Sequence, residues 1–207
     1  FLHNGLLEAL AAALAQPRGP LLRHALWALC NLIGEDVTVQ RRAVEHGLYP
    51  LVFAAARAHR GDPTFADVVA WFVCNSLRCR DNVSPALEHE LLELALELLR
   101  GAQSNDTLHE ALWAIAFYLD GRAELPRRVH VLLDAQALPD LLANLHRTEP
   151  AISRPLVRVL GYIAHYDEPS IAQMLTPELP ARLATALRLP DTPGLGDHLW
   201  LLGSLAE

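Results

Sequence analysis

Four tryptophans stand at a near-constant interval: Trp27, Trp71, Trp113 and Trp200 are separated by 44, 42 and 87 residues. The last gap is two intervals long, and Arg158 in "LVRVLGYIA" fills the missing place, giving spacings of 44, 42, 45 and 42. The frame extends beyond the marker. One residue before it comes an apolar side chain (Leu26, Ala70, Leu112, Val157, Leu199), and two after it another (Leu29, Val73, Ile115, Leu160, Leu202). Three after it stands a small residue: Cys30, Cys74, Ala116, Gly161 and Gly203. These offsets trace the core stripe of an α-helix, with the small position letting a neighbouring helix approach closely.

A unit this short cannot bury its own apolar face and must stack on its neighbours. The interval is that of HEAT and armadillo helical repeats. Between the marker helices lie shorter apolar stretches with a recurrent proline (Pro50, Pro139, Pro180), a residue suited to a helix's first turn. "GED", "LDGRAE" and "HYDEP" read as turns, and no stretch alternates as a strand would. The expected fold is all-α: a right-handed armadillo-repeat superhelical solenoid of three-helix repeats. A single array would run over 1–207, in units 1–35, 36–80, 81–120, 121–165 and 166–207. Each unit has a short helix, a medium one and the long marker helix. After Trp71 the short helix looks degraded, because "RCRDNVSPAL" is polar and interrupted by Pro85.

Composition narrows the function. Apolar residues make up 52%, yet no run approaches the roughly 18 a membrane span needs, so a soluble protein without a membrane partner is expected. "FLHNGLLEAL" lacks the marks of a signal peptide, and both ends lie inside helical patterns, so the chain reads as part of a longer protein. Three cysteines are too few for a disulfide framework and fit a reducing compartment, with Cys30 and Cys74 as packing residues. The net charge of −7, with no lysine, argues against nucleic acid and towards basic partners. "HELLE" at 89–93 lacks the second histidine of a zinc motif, and no catalytic set, metal site or cofactor motif is found. An enzyme is not expected.

The face beside the core stripe carries the chemistry. Trp27 and Asn31 lie about 100° around the helix from Leu22, Leu26, Leu29 and Ile33, and stacked helices would place this edge along one groove. The pair recurs as Trp71/Asn75, then as Trp113/Phe117, Arg158/Tyr162 and Trp200/Ser204. An asparagine amide offers a donor and an acceptor together, so it can hold the backbone of an extended peptide without reading its sequence. Tryptophan rings would form slots for an aliphatic stem with a cationic tip. Carboxylates would then select Lys or Arg, and Glu35, Glu110, Asp120 and Asp197 lie near the markers.

"ALWALCNLIGED", "AWFVCNSLR" and "LWAIAFYLDG" together resemble the armadillo repeats of importin alpha, the adaptor family that recognises nuclear localisation signals. The resemblance covers essentially the whole chain, from about the third repeat to the start of the seventh. It implies that Trp27, Asn31, Trp71 and Asn75 belong to the larger of two signal-binding sites, with Glu35 meeting the key lysine. Arg78 matches a structural arginine, Trp200 opens the smaller site and Asp197 matches an acid there. Tyr162 and Ser204 stand where the family usually has Asn, and Phe117 where it has Tyr. The resemblance also implies import of cargo into the nucleus, activity in cytoplasm and nucleus, and an importin beta-type carrier bound through a segment absent here. A divergent armadillo scaffold that holds partners without transport is the alternative reading.

Overall fold

The computed structural model describes residues 5–16, 20–79, 82–120, 124–188 and 194–206. Among them are thirteen α-helices and no strand. The first repeat comprises α1 (Leu6–Leu14) and α2 (Pro20–Glu35), and the second α3 (Val37–Glu45), α4 (Leu48–Ala58) and α5 (Pro63–Arg78). The third has two described helices, α6 (Pro85–Gly101) and α7 (Asn105–Leu119), in keeping with the degraded "RCRDNVSPAL". The fourth has α8 (Leu125–Asp134), α9 (Ala137–Leu142) and α10 (Pro150–Tyr166). The fifth has α11 (Glu168–Met174), α12 (Glu178–Arg188) and α13 (Leu195–Ser204). The chain divides into two compact bodies, Phe1–Ala114 and Ile115–Glu207, with the boundary inside α7.

Local chemistry sets the breaks between helices. Two of the expected turns shrink to a single residue: "GED" stays helical through Glu35 and "HYDEP" through Tyr166. The next residue is an aspartate that caps the following helix. The Asp36 carboxylate accepts from the Thr38 N–H at 2.7 Å, and that of Asp167 from the Ser170 N–H at 3.0 Å. A capped N-terminus offsets the lost ladder bonds, so one residue suffices to turn the chain. "LDGRAE" includes 121–123, which lie outside the described residues. Pro50, Pro139 and Pro180 each stand third in their helices, in the first turn, where no N–H is missed.

The junctions α3–α4 and α8–α9 use one device, a left-handed residue just before the second helix. Gly47 serves the first at φ 69°, and Gln136 the second at φ 57°. A side chain in that region costs about 1 kcal/mol that glycine does not. Gln136→Gly should therefore raise stability by up to about 1 kcal/mol. A thermal melt that moves down would show that the Gln136 side chain contributes more than its backbone costs.

The stripe read from the repeat is the core in four of five frames. Leu26, Ala70, Leu112 and Val157 are 0% exposed, as are Leu29, Val73, Ile115 and Leu160. The fifth frame departs from it. Leu199 and Leu202 are 49% and 40% exposed, while His198, Leu201 and Ser204 are buried. Helix α13 packs against α10 and α12, which cover that face and leave the next one in solvent.

Candidate functional site

In the N-terminal body, α2 turns Leu22, Leu26, Leu29 and Ile33 inward and leaves Trp27, Asn31 and Glu35 outside. Each step of four residues rises about 6 Å and drifts about 40°, so these three form one strip about 12 Å long. Trp27 is 52% exposed. Glu35 and Asn31 are exposed, and neither has an ion pair or side-chain hydrogen bond among the described residues.

The next marker helix lies beside α2 in register, and side chains record it. The Asn75 amide donates to the Cys30 carbonyl at 3.1 Å, and the Arg78 guanidinium to the Gly34 carbonyl at 3.1 Å. The Asn82 amide donates to the Val37 carbonyl at 2.8 Å. The partners are 45, 44 and 45 residues apart, one repeat each time. Trp71 is half-buried and Asn75 buried, so the two asparagines differ: Asn31 points to solvent and Asn75 is braced. The bond to a carbonyl also fixes which end of the Asn75 amide is nitrogen, since a carbonyl oxygen accepts only from an N–H. Gly34 makes this approach possible, because a Cβ there would lie 2.9 Å from the amide nitrogen.

Glu110 and Trp113 on α7 are half-buried. His109 Nε2 is 4.0 Å from Glu110 Oε1, and its ring meets that of Trp113 edge-on at 6.5 Å. Burial pushes the thiols of Cys30 and Cys74 well above the usual range, and the nearby Glu110 carboxylate adds to the rise. Both are inert packing residues at pH 7.

In the C-terminal body the corresponding groups face one another. The Tyr162 hydroxyl donates to Asp120 at 3.0 Å, and Arg158 lies 4.0 Å from Asp120 and 3.7 Å from Asp197. Arg154 Nε donates to Asp197 at 3.3 Å. Trp200 meets Tyr162 edge-on at 4.8 Å and covers Gly161, where a Cβ would come within 2.7 Å of its ring. Ser204 donates back to the Trp200 carbonyl at 3.1 Å. Tyr162 and Ser204 thus each spend their hydroxyl on a partner within this body, the Asp120 carboxylate and the Trp200 carbonyl.

The structure therefore gathers Trp27, Asn31, Glu35, Trp71, Asn75, Glu110 and Trp113 in one body, and Asp120, Arg158, Asp197, Trp200 and Ser204 in the other. Periodicity did not reveal the buried network of Gln40, Tyr49 and Ser76. There the Gln40 amide donates to the Ser76 carbonyl at 2.9 Å, and the Tyr49 and Ser76 hydroxyls are 3.0 Å apart. It pins α3 and α4 to α5 behind Asn75. A polar residue next to the asparagine, Ser76, is its one sequence trace.

No known protein-family profile matches the chain. It is 23% identical over 168 residues to importin subunit alpha-1b of Oryza sativa subsp. japonica, which covers 80% of this chain and 30% of that protein. It is 24% identical over 165 residues to importin subunit alpha-8 of Arabidopsis thaliana, covering 77% and 34%. The chain thus spans about a third of the length of these curated relatives. Among solved structures, a designed armadillo repeat protein in complex with the peptide (KR)4 superposes with a TM-score of 0.75 at 17% identity, covering 99% of this chain and 83% of that one. Computationally designed armadillo repeat proteins for modular peptide recognition give 0.78 at 15%, covering 98% and 83%. In fold, this chain is an armadillo-repeat solenoid with distant similarity to importin alpha.

Proposed function

We propose that the N-terminal body binds an extended Lys/Arg-rich peptide of the nuclear localisation type along Trp27, Asn31, Glu35, Trp71 and Asn75. The chain would serve import of such cargo into the nucleus, working in both cytoplasm and nucleus. The observation that carries this reading is the α2 strip: a 52% exposed Trp27, with an amide and a carboxylate that have no partner among the described residues, set in line on one helix. An indole face attracts a cation, the amides hold a peptide backbone, and Glu35 meets a positive tip. The likeness to a designed protein in complex with (KR)4 supports the ligand class, and the importin alpha relatives support the transport role. The C-terminal body fits the scaffold alternative better, since its Tyr162, Ser204 and acids are engaged internally.

Titration calorimetry with (KR)4 tests the proposal. Affinity should fall as salt rises, because exposed charges are screened within about 10 Å at 0.1 M. An exposed ion pair contributes up to about 1 kcal/mol, and reversing the charge turns that attraction into a repulsion of similar size, so Glu35→Arg should weaken binding about tenfold. The control is Glu45→Arg on α3, exposed and free of ion pairs among the described residues. Glu97 is less suited, being paired with Arg60 at 2.7 Å. Equal losses in both variants would mean that only net charge is felt.

A further inference from the structure

We propose that the N-terminal body carries a second binding site, a cleft among α4, α5 and α6 that takes a small monocarboxylate with a hydrocarbon tail. It shares no residue with the strip of Trp27, Asn31, Glu35, Trp71 and Asn75.

The cleft has a volume of about 410 Å³, within the range of small-molecule sites. Phe65 and Val69 of α5, both buried, line it together with the half-buried Ala56 of α4 and Leu94 and Leu98 of α6. The alanine at 56 leaves room that a longer side chain would occupy. Apolar walls favour a hydrocarbon tail and disfavour a polar body, which would give up its water without gaining a partner. The rim sets the head group. Two guanidiniums stand there, Arg60 just beyond α4 and Arg100 in the last turn of α6, against one carboxylate, Glu97. His59, also in the lining, can only add to the positive side. The cleft thus carries an excess of positive charge on a chain whose net charge is −7, and that local balance favours an anion over an amine. Arg60 meets Glu97 at 2.7 Å, but the two side chains are 66% and 49% exposed, and such a pair contributes little. A guanidinium has five N–H donors, so it can hold a second carboxylate beside the first or exchange one for the other at small cost.

Octanoate, titrated into the full 207-residue chain and followed by carbon–proton NMR, tests the site. The Val69 methyl and Phe65 ring signals should shift saturably at millimolar concentration or below. Octylammonium, with the same tail and the opposite charge, should bind about tenfold more weakly or less, the loss of one hydrogen-bonded charge contact. Arg60→Gln should weaken octanoate, and Ala56→Leu, which fills the cleft from the α4 side, should remove most of its binding. Arg127→Gln makes the same charge change at an exposed residue of α8 and should have no effect. The proposal is overturned if the Val69 and Phe65 signals do not shift saturably. It also falls if octylammonium binds as tightly as octanoate, or if Arg127→Gln costs as much as Arg60→Gln. Should Ala56→Leu fail to melt cooperatively, nuclear Overhauser contacts from the octanoate methylenes to the Val69 methyls decide the same point in the unaltered chain. Their presence supports the site, and their absence at saturation refutes it.

Discussion

Asn75→Ala should destabilise the chain by about 1–3 kcal/mol, the range for stripping a hydrogen-bond partner from a buried group. Asn31→Ala should leave stability within about 0.5 kcal/mol, as surface substitutions usually do. The two residues occupy equivalent frames, so the contrast comes from their neighbours. Asn75 is 4% exposed, and its amide reaches the Cys30 carbonyl over the bare Cα of Gly34. Removing it takes a bond from between α2 and α5 and leaves a void that backbone on both sides cannot close. Asn31 has solvent around it. Both variants should bind (KR)4 less well, by about 1 kcal/mol for each hydrogen bond to the peptide that the substitution removes. Urea unfolding monitored by circular dichroism reads the stability, and calorimetry the affinity. Equal unfolding of Asn75→Ala and wild type would mean that the amide is not a brace.

Gly161→Ala should cost about 1–3 kcal/mol, the usual effect of forcing a methyl into a packed interior. Its Cβ would stand 2.7 Å from Cε3 and Cζ3 of Trp200, atoms of a rigid ring that Tyr162 confines edge-on from another direction. Either α13 moves away from α10 or the indole leaves its rotamer. Trp200 emission should therefore shift along with the melt. Gly203→Ala has the opposite expected sign. Nothing lies within 4 Å of a Cβ there, and alanine in a helix is favoured over glycine by about 1 kcal/mol. Two glycines of the same repeat frame would then differ in sign because one meets a neighbouring indole and the other does not. A neutral Gly161→Ala would mean that α10 and α13 pack loosely enough to absorb a methyl.

The marker period made the fold legible, because a residue at each frame meets its counterpart one repeat away. The ladder of Asn75, Arg78 and Asn82 onto Cys30, Gly34 and Val37 is that period expressed as hydrogen bonds. The small position was legible for the same reason: Gly161 is small because Trp200 lies on it. Less was legible where the outcome depends on what lies beside a residue. Asn31 and Asn75 read alike in sequence, yet α2 braces only the second. Asp120 and Asp197 read as acids awaiting a ligand, and no pattern along the chain announces that Arg158 and Arg154 reach them from 38 to 43 residues away. The exposed Leu199 and Leu202 follow the core pattern without its burial, since burial belongs to the neighbour and not to the helix.

Whether the N-terminal strip, and not the C-terminal body, takes a basic peptide can be read from the indole N–H resonances of the chain's four tryptophans. Each is assigned by a Trp→Phe variant and followed as (KR)4 is added. The signals of Trp27 and Trp71 should move in step with binding, while that of Trp200, held between Gly161 and Tyr162, should stay in place. Unmoved Trp27 and Trp71 signals at saturating peptide, or a Trp200 signal that moves with them at the same concentrations, would place the peptide elsewhere and refute the assignment.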